Sequence, residues 1–324
     1  MSVGTIDSCV CISVLRFFSK GIVTTSITRQ KFLQTKGFAF FNKSRGCDDD
    51  LDLFKKTALM NRTEFFVALW NQYIQVTPQA HSIHALFNER GEDVINDHVA
   101  FRTFDIKGFD LDRATELLAT IGYDAFDSYT FPDKHLRAKA YRVPNDSNAP
   151  KIFFSELIRS ELGEEAQAII NKVTRGLEGE LTLSDLTGRY PFHKPTFDQY
   201  QSLANASEYA GWLSTMGYQA NHFTVSINAL NTLKSIEDVA ELLIKNQYQL
   251  NEVGGRIKGT PADLLVQAST IADQMTFEFS DVAVSDIPSC FYEFAHRFND
   301  SHGQLFQGFV PNNANAIFES TDRR

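Results

Sequence analysis

Asp97-His98-Val99-Ala100-Phe101-Arg102-Thr103-Phe104-Asp105 is apolar and aromatic enough to form a strand, and a strand sends successive side chains to opposite faces. His98, Ala100, Arg102 and Phe104 then share one face, and Val99, Phe101 and Thr103 the other. One face therefore carries a possible metal ligand and a fixed cation. At about 3.3 Å per residue the two backbones stand roughly 13 Å apart, a gap that a small acid bound beside a metal could bridge if the Arg102 side chain leans inward. Alone, the stretch favours a plainer reading: a strand whose inner face bears one hydrogen-bonded histidine and one ion-paired arginine.

Its surroundings decide between the two. Downstream, the pattern predicts a helix over 110–121 and strands over 123–131, 138–143 and 151–157, separated by Pro-Asp-Lys and Pro-Asn-Asp turns. This is βαβββ order. Residues 158–193 read as a helix, amphipathic over 162–170, followed by a polar loop ending at Pro191-Phe192-His193. A further helix over 197–216 stops at Gly217. The order then recurs: Asn221-His222-Phe223-Thr224-Val225-Ser226 is a strand with its own histidine, 236–245 a helix, and 264–271, 275–280 and 290–298 strands.

The repeat survives counting. Glu116 lies eighteen residues and Tyr123 twenty-five after His98, while Glu241 lies nineteen and Tyr248 twenty-six after His222. Phe153-Phe154-Ser155-Glu156 also resembles Cys290-Phe291-Tyr292-Glu293, which puts Glu156 and Glu293 in equivalent places. Glu156 then reads as a satisfied relic of the duplicated site or as a support for its ligands.

Upstream, Asn61-Arg62-Thr63-Glu64 opens an amphipathic helix with Phe65, Leu69 and Tyr73 on one stripe, and Pro78 can begin a second that ends at Gly91. Residues 1–47 differ in kind, with seven Lys or Arg against the single acid Asp7. That leader, over 1–59, reads either as sequence upstream of a true start at Met60 or as a targeting peptide. The first is favoured, because the leader has no clean helical moment and a capping sequence follows Met60 at once.

Net charge of -9 and a pI near 5.4 argue against nucleic acid or an anionic membrane as the main partner, while a small acid remains possible beside a local arginine. The chain has no apolar run of about 18 residues, so no membrane span is expected. Cys9, Cys11 and Cys47 lie in the leader and only Cys290 in the body, which suggests neither a disulfide framework nor a thiolate metal site and fits a reducing compartment. The expected location is cytoplasmic, or the mitochondrial matrix if the leader is a transit peptide.

The expected fold is α+β, two βαβββ modules whose curved sheet surrounds a metal-binding cavity, with added helices. Residues 60–324 would form a single catalytic domain: module one over about 95–157, a helical connection over 158–217, and module two over 220–324. His98, His222 and Glu293 then converge from three places in sequence. Two imidazoles and one carboxylate on one face of an octahedral ion form the facial triad of non-heme Fe(II) oxygenases, which leaves three positions open. Zinc hydrolases use the same ligand types with an activated water. Ligand types alone leave oxygenation, hydrolysis or lyase chemistry, and mere small-molecule binding, all open.

Asp97-His98-Val99-Ala100-Phe101-Arg102, Asn221-His222-Phe223-Thr224, Phe291-Tyr292-Glu293-Phe294, the turn Phe131-Pro132-Asp133-Lys134-His135, and Lys258-Gly259-Thr260-Pro261 leading into Leu264-Leu265-Val266-Gln267 together resemble the 2-oxoadipate dioxygenase/decarboxylase (2-hydroxyglutarate synthase) family of the vicinal-oxygen-chelate superfamily. Gly308-Phe309 and Asn315-Ala316-Ile317-Phe318-Glu319 also resemble the closing loop and helix of 4-hydroxyphenylpyruvate dioxygenases. The resemblance covers 60–324 and implies that His98, His222 and Glu293 bind Fe(II) and that Arg102, the catalytic candidate, grips a substrate carboxylate. It implies a 2-oxo acid and dioxygen as partners, with 2-oxoadipate giving 2-hydroxyglutarate and carbon dioxide. Gln267, Ser269 and Thr270 are further candidates for substrate contact, and Arg297 shares a strand face with Glu293 and could balance its charge. Longer members carry inserted segments that supply part of the substrate pocket, which this chain lacks.

Overall fold

Asn61 starts the first helix because its side chain accepts from Glu64 N while the Glu64 carboxylate accepts from Asn61 N, a reciprocal cap. This is where the computed structural model begins its description, which covers residues 60–321; the leader over 1–59 lies outside the described residues. Helices α1 (Arg62–Val76) and α2 (Pro78–Glu89) lead into β1 (Asn96–Phe104), followed by α3 (Leu111–Ala119), β2 (Asp124–Phe131), β3 (Leu136–Arg142) and β4 (Lys151–Leu157). Four helices connect the halves: α4 (Glu164–Val173), the single turn α5 (Leu183–Leu186), α6 (Phe197–Ala206) and α7 (Glu208–Met216). Then come β5 (Ala220–Ser226), α8 (Ile236–Lys245), β6 (Leu265–Ser269), β7 (Gln274–Glu278), β8 (Ala283–Pro288), β9 (Phe291–Arg297) and α9 (Pro311–Phe318).

Seven strands form one mixed sheet in the order β2-β3-β4-β1-β5-β9-β6. Each half places its first strand parallel to its last, β1 beside β4 and β5 beside β9, and the halves meet where β1 runs antiparallel to β5. The fold is α+β with a curled sheet, as the pattern predicts. Its convex face takes Val99 and Phe101 from β1, Phe154 from β4, Phe223 from β5 and Phe294 from β9, all buried. Phe101 stacks on Phe154 at 5.3 Å and meets Phe65 of α1 at 6.4 Å, while Phe223 meets Trp70 and Phe294 meets Phe87 of α2. The opposite face carries His98, Ala100 and Arg102, which are buried as well. Helix α9 touches both β2 and β6, the two ends of the sheet, and so closes it. Among the described residues no helix is long and apolar enough to cross a membrane.

Three elements differ from the sequence reading. Residues 158–193 do not form one helix, because Gly176 and Gly179 adopt positive φ of 83° and 81° and end the helical path after α4. The helix expected over 197–216 breaks at Ser207, whose extended backbone and hydroxyl cap α7 by accepting from Ala210 N. In the second half, β7 leaves the main sheet and pairs with β8 as a ribbon whose Phe277, Phe279 and Ile287 pack on Tyr200 of α6. The second half therefore gives the main sheet three strands where the first gives four.

Phe101 is fully buried between α1 and β4 and holds the convex layer. Phe101→Ala should cost about 3–5 kcal/mol through lost contact and the cavity left behind. Thermal denaturation should show a large fall in midpoint, and Phe101→Leu a much smaller one.

Candidate metal centre

His98 lies on β1, His222 on β5 and Glu293 on β9, all buried, and one ligand atom from each lies within 4.8 Å of the others. Register explains the meeting: Ala100 pairs with His222 and Thr224 with Glu293, so the three project from adjacent strands onto one face. His222 Nε2 is 3.2 Å from Glu293 Oε2, and His98 Nε2 is 3.6 Å from Glu293 Oε1.

Each imidazole is oriented by the residue before it. His98 Nδ1 lies 2.8 Å from Asp97 Oδ1, and His222 Nδ1 lies 3.1 Å from Asn221 Oδ1. A carboxylate and an amide oxygen only accept, so both Nδ1 atoms donate and both Nε2 atoms keep their lone pairs. The β1/β5 register shifts between Asn96 and His98, at the first of these pairs. Asp97 is in turn gripped by Arg297, whose Nε donates to Oδ2 at 2.6 Å and Nη2 to Oδ1 at 2.8 Å. Burial alone would raise the Asp97 carboxyl, but the Arg297 charge and hydrogen bonds outweigh it and hold the group well below the usual carboxylate range.

The two histidines are kept neutral. Burial lowers His98 against the pull of Asp97, and burial, then His98 and Arg102, lowers His222 well below its ordinary value. Burial pushes the Glu293 carboxyl up to about 8. Gln267 Nε2 donates to Glu293 Oε1 at 2.6 Å, whereas Oε2 is buried with no hydrogen-bond partner. The Thr224 hydroxyl stands 3.1 Å from His98 Nε2. Two imidazole lone pairs and an unsatisfied carboxylate oxygen thus face one another in the interior. Such a set of acceptors fits a divalent cation of the transition series, and the orphaned Glu293 oxygen is the mark of that fit.

The other expected residues fall in distinct places. Arg102 is on the cavity face and 1% exposed, with Nη1 donating to Glu208 Oε1 at 2.7 Å and Nη2 to Thr321 Oγ1 at 3.0 Å. Gln267 is engaged with Glu293 and accepts from Asn313 Nδ2 at 3.2 Å. Ser269 lies opposite Glu293 on the same face with its hydroxyl 2.8 Å from that of Ser320. Thr270 is turned away, its hydroxyl accepting from Tyr292 N. Arg297 does more than balance charge, because it also donates to the Phe306 and Gly308 carbonyls and so ties the segment before α9 to Asp97.

Glu156 is a correction. His98 pairs with Lys151 and His222 with Phe291, so the residue equivalent to Glu293 is Phe153. Glu156 lies three residues further on, and an odd step turns it to the convex side. There it accepts from Leu111 N at 2.8 Å and from Arg137 Nε, capping α3. The sequence reading also missed Asp97 and Asn221 as supports for the histidines, although their matched positions before His98 and His222 carried the signal. Glu208 and Lys151 gave none. Burial pushes Lys151, opposite His98, down to about 8, and Lys258 to about 8 as well, the Glu293 charge opposing the fall of the second.

The chain has relatives among known proteins. The family model described as 2-oxoadipate dioxygenase/decarboxylase matches residues 65–301. A rice protein, 2-oxoadipate dioxygenase/decarboxylase, chloroplastic/amyloplastic, is 32% identical over 297 residues, covering 83% of this chain and 79% of that protein. The solved rice hydroxyglutarate synthase in complex with 2-oxoadipate is 30% identical with a TM-score of 0.75, covering 89% of this chain and 98% of that one. A Shewanella frigidimarina structure named only as a candidate hydrolase is 40% identical with a TM-score of 0.72, covering 78% of this chain and 98% of that one. The plastid location in the name of the rice relative, shared by an Arabidopsis thaliana relative, overturns the expectation of a cytoplasmic or mitochondrial-matrix protein.

Arg297→Lys keeps the charge but loses the paired fork on Asp97, so His98 should lose its fixed tautomer and orientation. Competition with a chelator should show metal affinity lower by about 10- to 100-fold in that variant. Retention equal to that of the unchanged protein would mean that Asp97 orients His98 unaided.

Proposed function

The chain belongs to the 2-oxoadipate dioxygenase/decarboxylase family, and from that premise we propose that His98, His222 and Glu293 hold Fe(II) and that Arg102 anchors the far carboxylate of a 2-oxo diacid. The protein is an enzyme, a dioxygenase that decarboxylates a 2-oxo acid. Family membership sets aside the hydrolase, lyase and binding-module alternatives. The rice relative solved with 2-oxoadipate is named a hydroxyglutarate synthase, which supports 2-oxoadipate as substrate and 2-hydroxyglutarate as product. The atoms balance without an outside reductant: a six-carbon keto diacid and dioxygen give a five-carbon hydroxy diacid and carbon dioxide.

The observation that carries the metal reading is the buried triangle of acceptors with an orphaned oxygen on Glu293. His98, His222 and Glu293 would hold the Fe(II), which when bound would supply the redox chemistry between a 2-oxo acid and dioxygen. The chain's own residues do the rest. Asp97 and Asn221 hold both Nδ1 protons, so that the Nε2 atoms stay available to a metal. Gln267 fixes one oxygen of Glu293 and leaves the other to the metal. Arg102 lies four residues along the strand from His98, and its planar fork can hold a carboxylate through paired hydrogen bonds in a way a lysine could not. Phe309, with its ring 4.8 Å from that of His98 and 4.9 Å from that of Phe153, excludes water from the same face.

Adding Fe(II) and 2-oxoadipate without oxygen should give a visible charge-transfer band, and admitting oxygen should abolish it with one carbon dioxide released per oxygen consumed. No oxygen uptake with any 2-oxo acid would overturn the function. His222→Ala should lose the metal, whereas Arg102→Ala should keep it and raise the KM for the diacid. Equal metal loss in both variants would show that Arg102 serves the metal site and not the substrate.

A further inference from the structure

The Arg102 guanidinium already faces one carboxylate, that of Glu208, before any second one arrives. Arg102 is fixed in the interior: Tyr209 and Trp212 place their rings 4.8 and 4.9 Å from the guanidinium carbon, and Phe318 lies at 5.6 Å. Its Nη1 donates to Glu208 and its Nη2 to Thr321, while the Thr321 hydroxyl also donates to Glu208. The Arg102 Nε is buried without a hydrogen-bond partner, so the fork has donor capacity left over. Its partner is less confined. The Glu208 side chain keeps 17% of its exposure, against 1% for Arg102, and stands in the first turn of α7, where a free carboxylate is favoured by the helix terminus.

We infer that Glu208 is a displaceable stand-in for the far carboxylate of the substrate, a specificity-determining residue that fills the Arg102 fork until a diacid takes it. The inference rests on the reading of Arg102 as the substrate anchor. Charge is the argument. One buried guanidinium compensates one carboxylate, and a second in the same dry space is an unpaired buried charge. Arg102 cannot retreat from its three rings, so Glu208, the more exposed of the two, gives way toward solvent. Thr321, bonded to both, then loses one of its partners. A 2-oxo monoacid of equal length brings no such demand and leaves Glu208 where it is. Glu208 therefore opposes entry of the diacid, and it keeps Arg102 compensated when a monoacid binds. Removing its charge should sharpen the choice from both sides.

The test compares kcat/KM for 2-oxoadipate with that for 2-oxohexanoate in the iron-loaded full chain, beside anaerobic binding of both acids followed by the fluorescence of Trp212, which lies against Arg102. Glu208→Gln should raise the diacid-to-monoacid ratio about tenfold, equivalent to ~1.4 kcal/mol, and mainly through KM. Arg102→Ala should collapse that ratio. A ratio that is unchanged or lower in Glu208→Gln, with collapse in Arg102→Ala, overturns the stand-in and leaves the Arg102 anchor intact. A ratio untouched by Arg102→Ala overturns the anchor, and the stand-in with it. If Glu208→Gln does not fold, Glu208→Asp withdraws the carboxylate from the fork by one methylene and should raise the ratio in the same direction, and no rise overturns the inference.

Discussion

Three buried acceptors facing one another are the constraint that the rest of the molecule serves. Lone pairs on two imidazoles and the oxygens of a buried carboxyl group would move apart if the backbone allowed it. The backbone does not allow it, because the three side chains rise from neighbouring strands in the middle of a seven-stranded sheet whose convex side is packed with aromatic rings. Asp97 and Asn221 take the Nδ1 protons, and Gln267 takes one carboxylate oxygen. What remains unsatisfied points inward. The fold thus holds a buried set of acceptors that could take a metal ion.

Support for that arrangement reaches well beyond the ligands. Arg297 donates from Nη1 to the carbonyls of Phe306 and Gly308 and from Nε and Nη2 to Asp97, and the ring of Phe309 lies against both Arg297 and His98. The Phe309 amide donates to the Tyr129 hydroxyl of β2, so the same segment is fastened to the far edge of the sheet. Closure of the cavity and orientation of His98 are therefore one event in physical terms. Helix α9 follows directly and spans the sheet from β2 to β6.

Much of this was legible in the chain because two periods govern it. Alternation along β1 separated His98 and Arg102 from Val99 and Phe101, and the near-equal offsets from His98 and His222 exposed the duplication. Glu293 meets His98 and His222, yet its counterpart in the first half is not Glu156: similar tetrapeptides suggest that residue, and a slip of three residues reverses the face of a strand. Backbone hydrogen bonding decides register, and local similarity does not report it. The break at Ser207 had a capping signal but lay inside a continuous apolar stripe. The departure of β7 depends on Phe277 and Phe279 finding α6, a partner distant in sequence. Glu208 was invisible for the same reason, since only tertiary packing brings it to Arg102.

The correspondence between Phe153 and Glu293 has a consequence for how such a site could arise. If the two halves were identical, as in a symmetric ancestral pair, both positions would be acidic, and two carboxylates would flank the histidines on either side of the seam. An aromatic ring at 153 removes one donor and walls that side with hydrocarbon. The two halves thus offer unlike chemistry at matching positions, a carboxyl group from β9 and a hydrocarbon ring from β4.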